Sequence, residues 1–589
     1  MTVSTDAPAG RALPEAAPTR SEAEGGGILR RLRNLEPSNL LWLGLFLFLL
    51  VLVVGPIGYL VKVSFQEVGG GDFTFQNYLT AYGRARFVQG LINSLLLGVA
   101  TAGVCVIMAV PMAWAVSRTN MPAKWMAWGT VLGAFILPPY LTAIGWILIA
   151  GPNSGWLNRG WSWMTGAETP LFDIYSFAGI VLVIALNAFP FIFLFAKNAL
   201  DLISTEMEEA ASILGASTWQ ATLKITLPLV WPSILGGVII VFLEAIALFG
   251  VPALLGIPAR INLVTTQLWQ FFGYPLRMEV AAAYSMPLLL ITISLIWVQR
   301  LLLARKGYVT QSGKGGERRP IDVGPWRWVL LAYVAFIGLL AVYLPGSAMV
   351  QASLSKAWGL GFSLDNFTLA HYRDILFDHS LTQQAIANSF IFAAGAAFLA
   401  IGLALCIAYI VTRRLVPFGN LLAFLCMAPF VIPGIVLAIG FYAAYAAPPL
   451  ALYGTAALMI LAFTARFLPI AYGASAAGMR AINPEMEEAV RILGGGRLTA
   501  IRAVVAPLLK KTLLGGWLLV FIPATRELSA AIFLVAPNTR VMSVLIYDMT
   551  EEGRFETVAA LGCIILVSTT FLVWLGFKLV GRDFMMRSR

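Results

Sequence analysis

The chain has 589 residues, of which 59% are hydrophobic and 12% charged, with a formal net charge of +11 and a mean hydropathy of +0.82. Spread over many apolar runs of about 20 residues, this composition excludes a soluble globular protein and defines a polytopic membrane protein. The basic excess does not point to nucleic acid, because Lys and Arg flank apolar runs and form no aromatic-interleaved stripe.

Residues 1–39 are rich in Ala, Pro, Gly and Glu and read as a disordered cytoplasmic tail, with too little apolar surface to fold. No cleavable signal is expected, since the first apolar run starts only near Leu40, after Arg30, Arg31 and Arg33. The periodicity then predicts twelve membrane helices. Six fall in a first transmembrane domain, 40–303: 41–64, 88–117, 125–150, 176–200, 229–256 and 278–303. Six more fall in a second, 326–589: 326–352, 384–412, 418–446, 450–476, 513–537 and 556–580. Between them, 304–325 is polar and basic (Arg305, Lys306, Lys314, Arg318, Arg319) and reads as a cytoplasmic linker. With a cytoplasmic N-terminus, about 28 of the 40 basic residues lie on the cytoplasmic side, which sets the orientation.

The two domains are copies of one another. Glu206-Met-Glu-Glu-Ala-Ala-Ser-Ile-Leu-Gly215 and Glu485-Met-Glu-Glu-Ala-Val-Arg-Ile-Leu-Gly494 agree at eight of ten positions, 279 residues apart, with Pro228 and Pro507 trailing at equal distance. Upstream, Asn93-Ser94, Arg118, Pro122, Pro138 and Gly145 match Asn388-Ser389, Arg413, Pro417, Pro433 and Gly440 at an offset of 295. Nearer the segments, Pro190 matches Pro469 at an offset of 279. An even number of helices per copy gives both halves the same orientation. The expected fold is therefore all-α, two parallel six-helix repeats about a pseudo-twofold axis along the membrane normal, with a pathway between them.

Both repeated segments fall in the cytoplasm between the fourth and fifth helix of their half. Ser204 and Asn483 are N-cap residues and Pro484 suits the first helical position. Three glutamates fit the positive end of the helix dipole, and Gly215 and Gly494 can take the left-handed conformation that closes a helix. Small residues such as Ala210, Ala211 and Ala489 permit close approach, and Ile213-Leu214 and Ile492-Leu493 add an apolar ridge. Such a helix fits a partner's groove, whereas a bland alternative lies on the bilayer surface.

The pattern Glu209-Ala210-Ala211, Gly215 and Ile225-Thr-Leu-Pro228 resembles the cytoplasmic signature of binding-protein-dependent ABC importer permeases. The second copy departs mildly, with Glu488-Ala489-Val490 and Val504-Val-Ala-Pro507. The resemblance covers about residues 40–580. It implies that Glu206, Glu209, Ala210, Ala211, Gly215, Glu485, Glu488, Ala489 and Gly494 form coupling helices that dock on separate ATPase subunits, two copies in all. It also implies a soluble substrate-binding protein outside a bacterial inner membrane. Phe249-Gly-Val-Pro-Ala-Leu-Leu-Gly256 and Arg526-Glu-Leu-Ser-Ala530 are similar to the fused ferric-iron branch. Permeases for thiamine, polyamines, sulfate and phosphonates share the architecture.

The chain lacks a phosphate-binding loop: Gly313-Lys-Gly-Gly-Glu-Arg318 and Gly494-Gly-Gly-Arg497 have neither the spacing nor the strand context. No enzymatic activity and no cofactor in this chain are expected, and ATP belongs to the partner subunits. Cys105, Cys406, Cys426 and Cys563 sit in apolar runs without metal-ligand spacing, and His371 and His379 share one polar loop.

Ionisable residues within apolar spans are functional candidates. Glu244 in the fifth helix and Arg526 and Glu527 in the eleventh are candidates for lining the translocation pathway, against the alternative of a buried pair fixing helix packing. Arg466, beside Pro469, reads as structural, and Pro138, Pro433, Pro190 and Pro469 as helix interruptions. Outside the membrane, Phe73-Thr-Phe-Gln-Asn-Tyr78 and Phe367-Thr-Leu-Ala-His-Tyr372 suit either a binding protein or interfacial anchoring. A secondary transporter driven by an ion gradient shares the two-half layout and is the rival from another class.

Overall fold

The computed structural model describes residues 37–203, 206–304, 320–361 and 363–581. Ser204, residues 1–36 of the tail and the five linker basic residues lie outside these. Among the described residues every regular element is helical, with only three isolated backbone bridges.

Five helices of the first half are long and apolar enough to cross a bilayer: Ser38–Ser64, Ala85–Arg118, Phe177–Leu202, Trp219–Ala247 and Met278–Leu301. The second half repeats them as Trp326–Ser353, Ser380–Thr412, Ala456–Ala481, Ile501–Thr525 and Phe555–Val580. The third and ninth spans are bent pairs, Trp125–Ile136 with Pro139–Ala150 at 101° and Gly419–Val431 with Gly434–Tyr445 at 111°. Pro138 and Pro433 cause the breaks. The residue before each, Leu137 or Ile432, is forced into extended backbone, which no helix can continue through. Pro190 and Pro469, by contrast, sit inside unbroken helices and interrupt nothing.

The fifth and eleventh spans stop earlier than their hydrophobicity suggests. The former ends at Ala247, where Leu248 turns extended ahead of Gly250 and Pro252. The latter ends at Thr525, so Arg526 caps the helix and Glu527 lies in the turn beyond it, not within the span as expected. Short helices follow on the face away from the repeated segments, Val264–Phe271 and Met542–Glu551. The repeated Asn-Ser pairs fasten them. Ser94 Oγ accepts from Val264 N at 2.9 Å and Ser389 Oγ from Met542 N at 2.7 Å. Asn93 and Asn388 donate to the carbonyls of Asn262 and Arg540, each at 2.9 Å.

The first span of each half packs on the opposite half. Pro345 presses against Gly145, and Pro56 against Gly440; a Cβ on either glycine would come within 2.7 Å of the proline residue. Ahead of these prolines the helices widen into π turns, Leu50–Val54 and Leu339–Tyr343. The same happens at Thr222–Thr226 before Pro228 and Ile501–Val505 before Pro507. Proline clashes with the carbonyl four residues back, and a π turn relieves that clash without ending the helix.

Between the halves, Phe249 N donates to Ser529 Oγ at 3.3 Å and Gly250 packs on Leu528. The turn after the fifth span thus meets the turn after the eleventh at a seam between the halves. Around it Phe249, Phe533 and Tyr547, which are buried, and Trp269 and Phe272, which are half-buried, form an aromatic cluster, with Phe272 and Phe533 edge to face at 4.8 Å between centroids.

Candidate functional site

The repeated segments form helices Glu206–Ile213 and Glu485–Ile492, eight residues each, slightly shorter than expected. Gly215 and Gly494 close them at φ +85° and +86°. Ala216 N then reaches Ala211 O, and Gly495 N reaches Val490 O, both at 2.9 Å, the bond of a left-handed helix stop. At the second N-terminus, Asn483 Oδ1 accepts from Glu485 N at 3.1 Å. The helices offer an apolar tip to solvent: Ile213, Leu214, Ile492 and Leu493 are all at least 85% exposed. Ala210, Ala489, Glu485 and Glu488 are also exposed, and Ala211 is buried. The side chains of Glu206 and Glu209 lie outside the described set.

The middle glutamate of each triplet turns inward instead, a placement the sequence reading did not single out. Glu487 receives Arg413 Nη2 at 2.6 Å and Nε at 2.8 Å, and Tyr409 Oη at 3.0 Å. Glu208 lies 3.7 Å from Arg118 Nη1 and accepts from Thr226 Oγ1 at 2.5 Å. Each arginine also holds the carbonyl where the fourth span ends, Arg118 that of Ile203 at 3.0 Å and Arg413 that of Ile482 at 3.1 Å. The matched arginines were the available signal, since a buried cation recurring at one offset calls for an acid recurring at the other.

Arg118 also borders the linker. Ile321 N donates to Arg118 O at 2.8 Å, Asn120 N to Ile321 O at 3.1 Å, and Asn120 Nδ2 to Asp322 at 2.6 Å. The linker's end, the exits of the second spans and both repeated segments therefore share one face.

The four ionisable residues Glu244, Arg466, Arg526 and Glu527 come together. Arg466 Nε is 3.0 Å from Glu527 Oε2, and its guanidinium covers Gly434, where a Cβ would clash with Nη1. Glu527 Oε1 accepts from Ala530 N at 3.0 Å. Arg526 crosses to the first half and donates to the carbonyls of Phe135 and, at 2.7 Å, Ile136, which the break at Pro138 leaves unpaired within the helix. Glu244 lies within electrostatic range of Arg466, Arg526 and Glu527. Its side chain is exposed at the protein surface. The cluster thus holds two basic and two acidic side chains.

On the opposite face, Tyr78 and Tyr372 hydrogen-bond to Ser64 and Ser353, the last residues of the two first spans, at 2.9 and 2.8 Å. His371 Nε2 lies 3.0 Å from Ser355 O and His379 3.5 Å from Asp374. Among the described residues no group of three His, Cys, Asp or Glu side chains could hold a metal.

A family model, described as the binding-protein-dependent transport system inner membrane component, matches residues 88–308 and 400–582, more than half of the chain and both halves of it. The chain belongs to this permease family. The permease is 28% identical over 533 residues to a ferric transport system permease protein, FbpB, of Actinobacillus pleuropneumoniae, covering 89% of this chain and 76% of that one. It is likewise 28% identical over 483 residues to a putative ferric transport system permease protein of Haemophilus influenzae, 81% of this chain and 74% of that one. The spermidine/putrescine permease PotB of Escherichia coli is 26% identical over 36% of this chain and 77% of its own. The permease is thus a multi-pass transport subunit of an ABC importer with two fused halves, which displaces the ion-gradient reading.

Proposed function

We propose that this permease imports ferric iron, received from a soluble binding protein on the outer face and driven by two copies of a separate ATPase on the cytoplasmic face. The observation that carries the proposal is the pair of identically closed, exposed helices on one face of a chain whose long-range relatives include two ferric transport permeases. Glu206, Glu209, Ala210, Ala211 and Gly215 on one side, and Glu485, Glu488, Ala489 and Gly494 on the other, dock on the ATPase subunits. Their exposed Ile-Leu tips supply apolar area and their acids supply orientation. ATP is bound and hydrolysed on those partners, and the N-terminus lies with them in the cytoplasm.

Glu244, Arg526 and Glu527 line the pathway between the halves. Rigid docking helices acting on two halves hinged at one axis suit alternating access, with the aromatic cluster closing the outer side. Uptake of radiolabelled ferric iron into liposomes holding the permease, its ATPase and its binding protein tests the reading. No ATP-dependent uptake of iron, with uptake of a polyamine or sulfate instead, would reassign the substrate within the same class.

A further inference from the structure

Glu487 is the one buried residue of the helix Glu485–Ile492. A docking helix with an otherwise exposed surface is therefore fixed to the protein body through a carboxylate, and that carboxylate is held by Arg413. The same guanidinium holds Ile482 O, so Arg413 ties three elements: the end of its own second span, the end of the fourth span and the docking helix. Arg118 ties the equivalent three through Ile203 O and Glu208. Both pairs are about nine-tenths or more buried, where separating one partner from the other is strongly opposed. Load applied to the helix must move the ends of the spans with it.

We propose that Arg118 and Arg413 are positioning residues for energy coupling, relaying movement of the docking helices into the second and fourth spans through Glu208 and Glu487. The proposal rests on the docking reading above. The two relays are unequal. Arg413 grips Glu487 with two donors and Tyr409 adds a third, all from the second span. Glu208 stands farther from Arg118 and is shared with Thr226, in the π turn that opens the fifth span. In the second half the carboxylate is held from the second span alone, and in the first half from the second and the fifth.

The test uses the permease assembled with its ATPase and binding protein in liposomes, measuring ATP hydrolysis and substrate uptake together. E487Q keeps the shape and can still accept from Tyr409 but removes the charge. It is expected to retain the ATPase and its hydrolysis while uptake per ATP falls about tenfold, a typical coupling magnitude. E208Q is expected to lose less, about threefold, and R413K, which keeps the charge with a single donor group, to fall between wild type and E487Q. Unchanged uptake per ATP in E487Q overturns the proposal. So does a parallel loss of hydrolysis and uptake with the ATPase released, which would make the pair part of the docking surface and not a relay. A wild-type chain that retains no ATPase overturns the docking reading itself, a result separate from either.

Discussion

Arg466 lies on Gly434, and its Nε meets Glu527 at 3.0 Å, so one guanidinium joins the fourth span of the second half to the break in its third and the turn after its fifth. Nothing larger than glycine fits beneath it. G434A should displace Arg466 and lower ferric uptake as strongly as R466A does, while G434A added to R466A should cost little more. A double-mutant comparison of uptake and detergent-solubilised Tm checks this.

Removing one member of the Arg466–Glu527 pair strands a buried charge, at a cost of about 3–5 kcal/mol, whereas removing both does not. R466M is expected to lower Tm sharply, and R466M/E527L to recover most of that loss while remaining inactive in transport. Full recovery of uptake by the double variant would reduce the pair to a packing device.

Gly215 and Gly494 stand at positive φ with open space around them, so the strain of a side chain there is in the backbone and not in packing. G215V/G494V should insert and fold as the wild type does yet lose ATP-driven uptake. Membrane-fraction yield, Tm and uptake together decide the matter, and unimpaired uptake would count against docking.

Gly145 and Gly440 have the opposite problem. G440L forces Pro56 away from the second half, and overpacking of this kind costs about 1–3 kcal/mol. The expected outcome is a lower Tm with the docking helices unaltered in their retention of ATPase. G145L should act alike through Pro345.

Asp322 reports on the linker clasp. Its bond from Gly324 N, then that from Asn120, holds its carboxyl below the usual aspartate range. A depressed folded pKa means the clasp is fully present above the ordinary value and is lost as pH falls through the lower one. Hydrogen exchange at Gly324, corrected for intrinsic rate, should stay protected down to the ordinary aspartate range and rise only below it. In D322A it should be fast at every pH.

Much of this was legible because repetition magnifies weak signals. The twelve spans, the parallel halves and the glycine stops at Gly215 and Gly494 follow from apolar length, an even count and a residue type used twice at one offset. The packing partners were not legible. Gly145 and Gly440 were visible as matched positions, but a span that is apolar all round carries no mark of which half it lies against. Hydrophobicity also ran past the true ends of the fifth and eleventh spans, because Phe249 and Leu528 are buried between the halves and read like lipid-facing residues. For the same reason Arg526 and Glu527 were placed inside a helix that ends just before them. The inward turn of Glu208 and Glu487 escaped notice because three glutamates in one helical turn satisfy the dipole whichever of them points out.

The exchange of first spans bears on how the chain is made. Pro345 emerges from the ribosome when its seat at Gly145 already exists, but Pro56 must wait for Gly440, which is synthesised about 380 residues later. Until then the first span has no permanent neighbour on that side and only lipid to cover it. The amino-terminal half is in this sense an unfinished object when its own last helix is complete, and its first span is seated only when the ninth arrives.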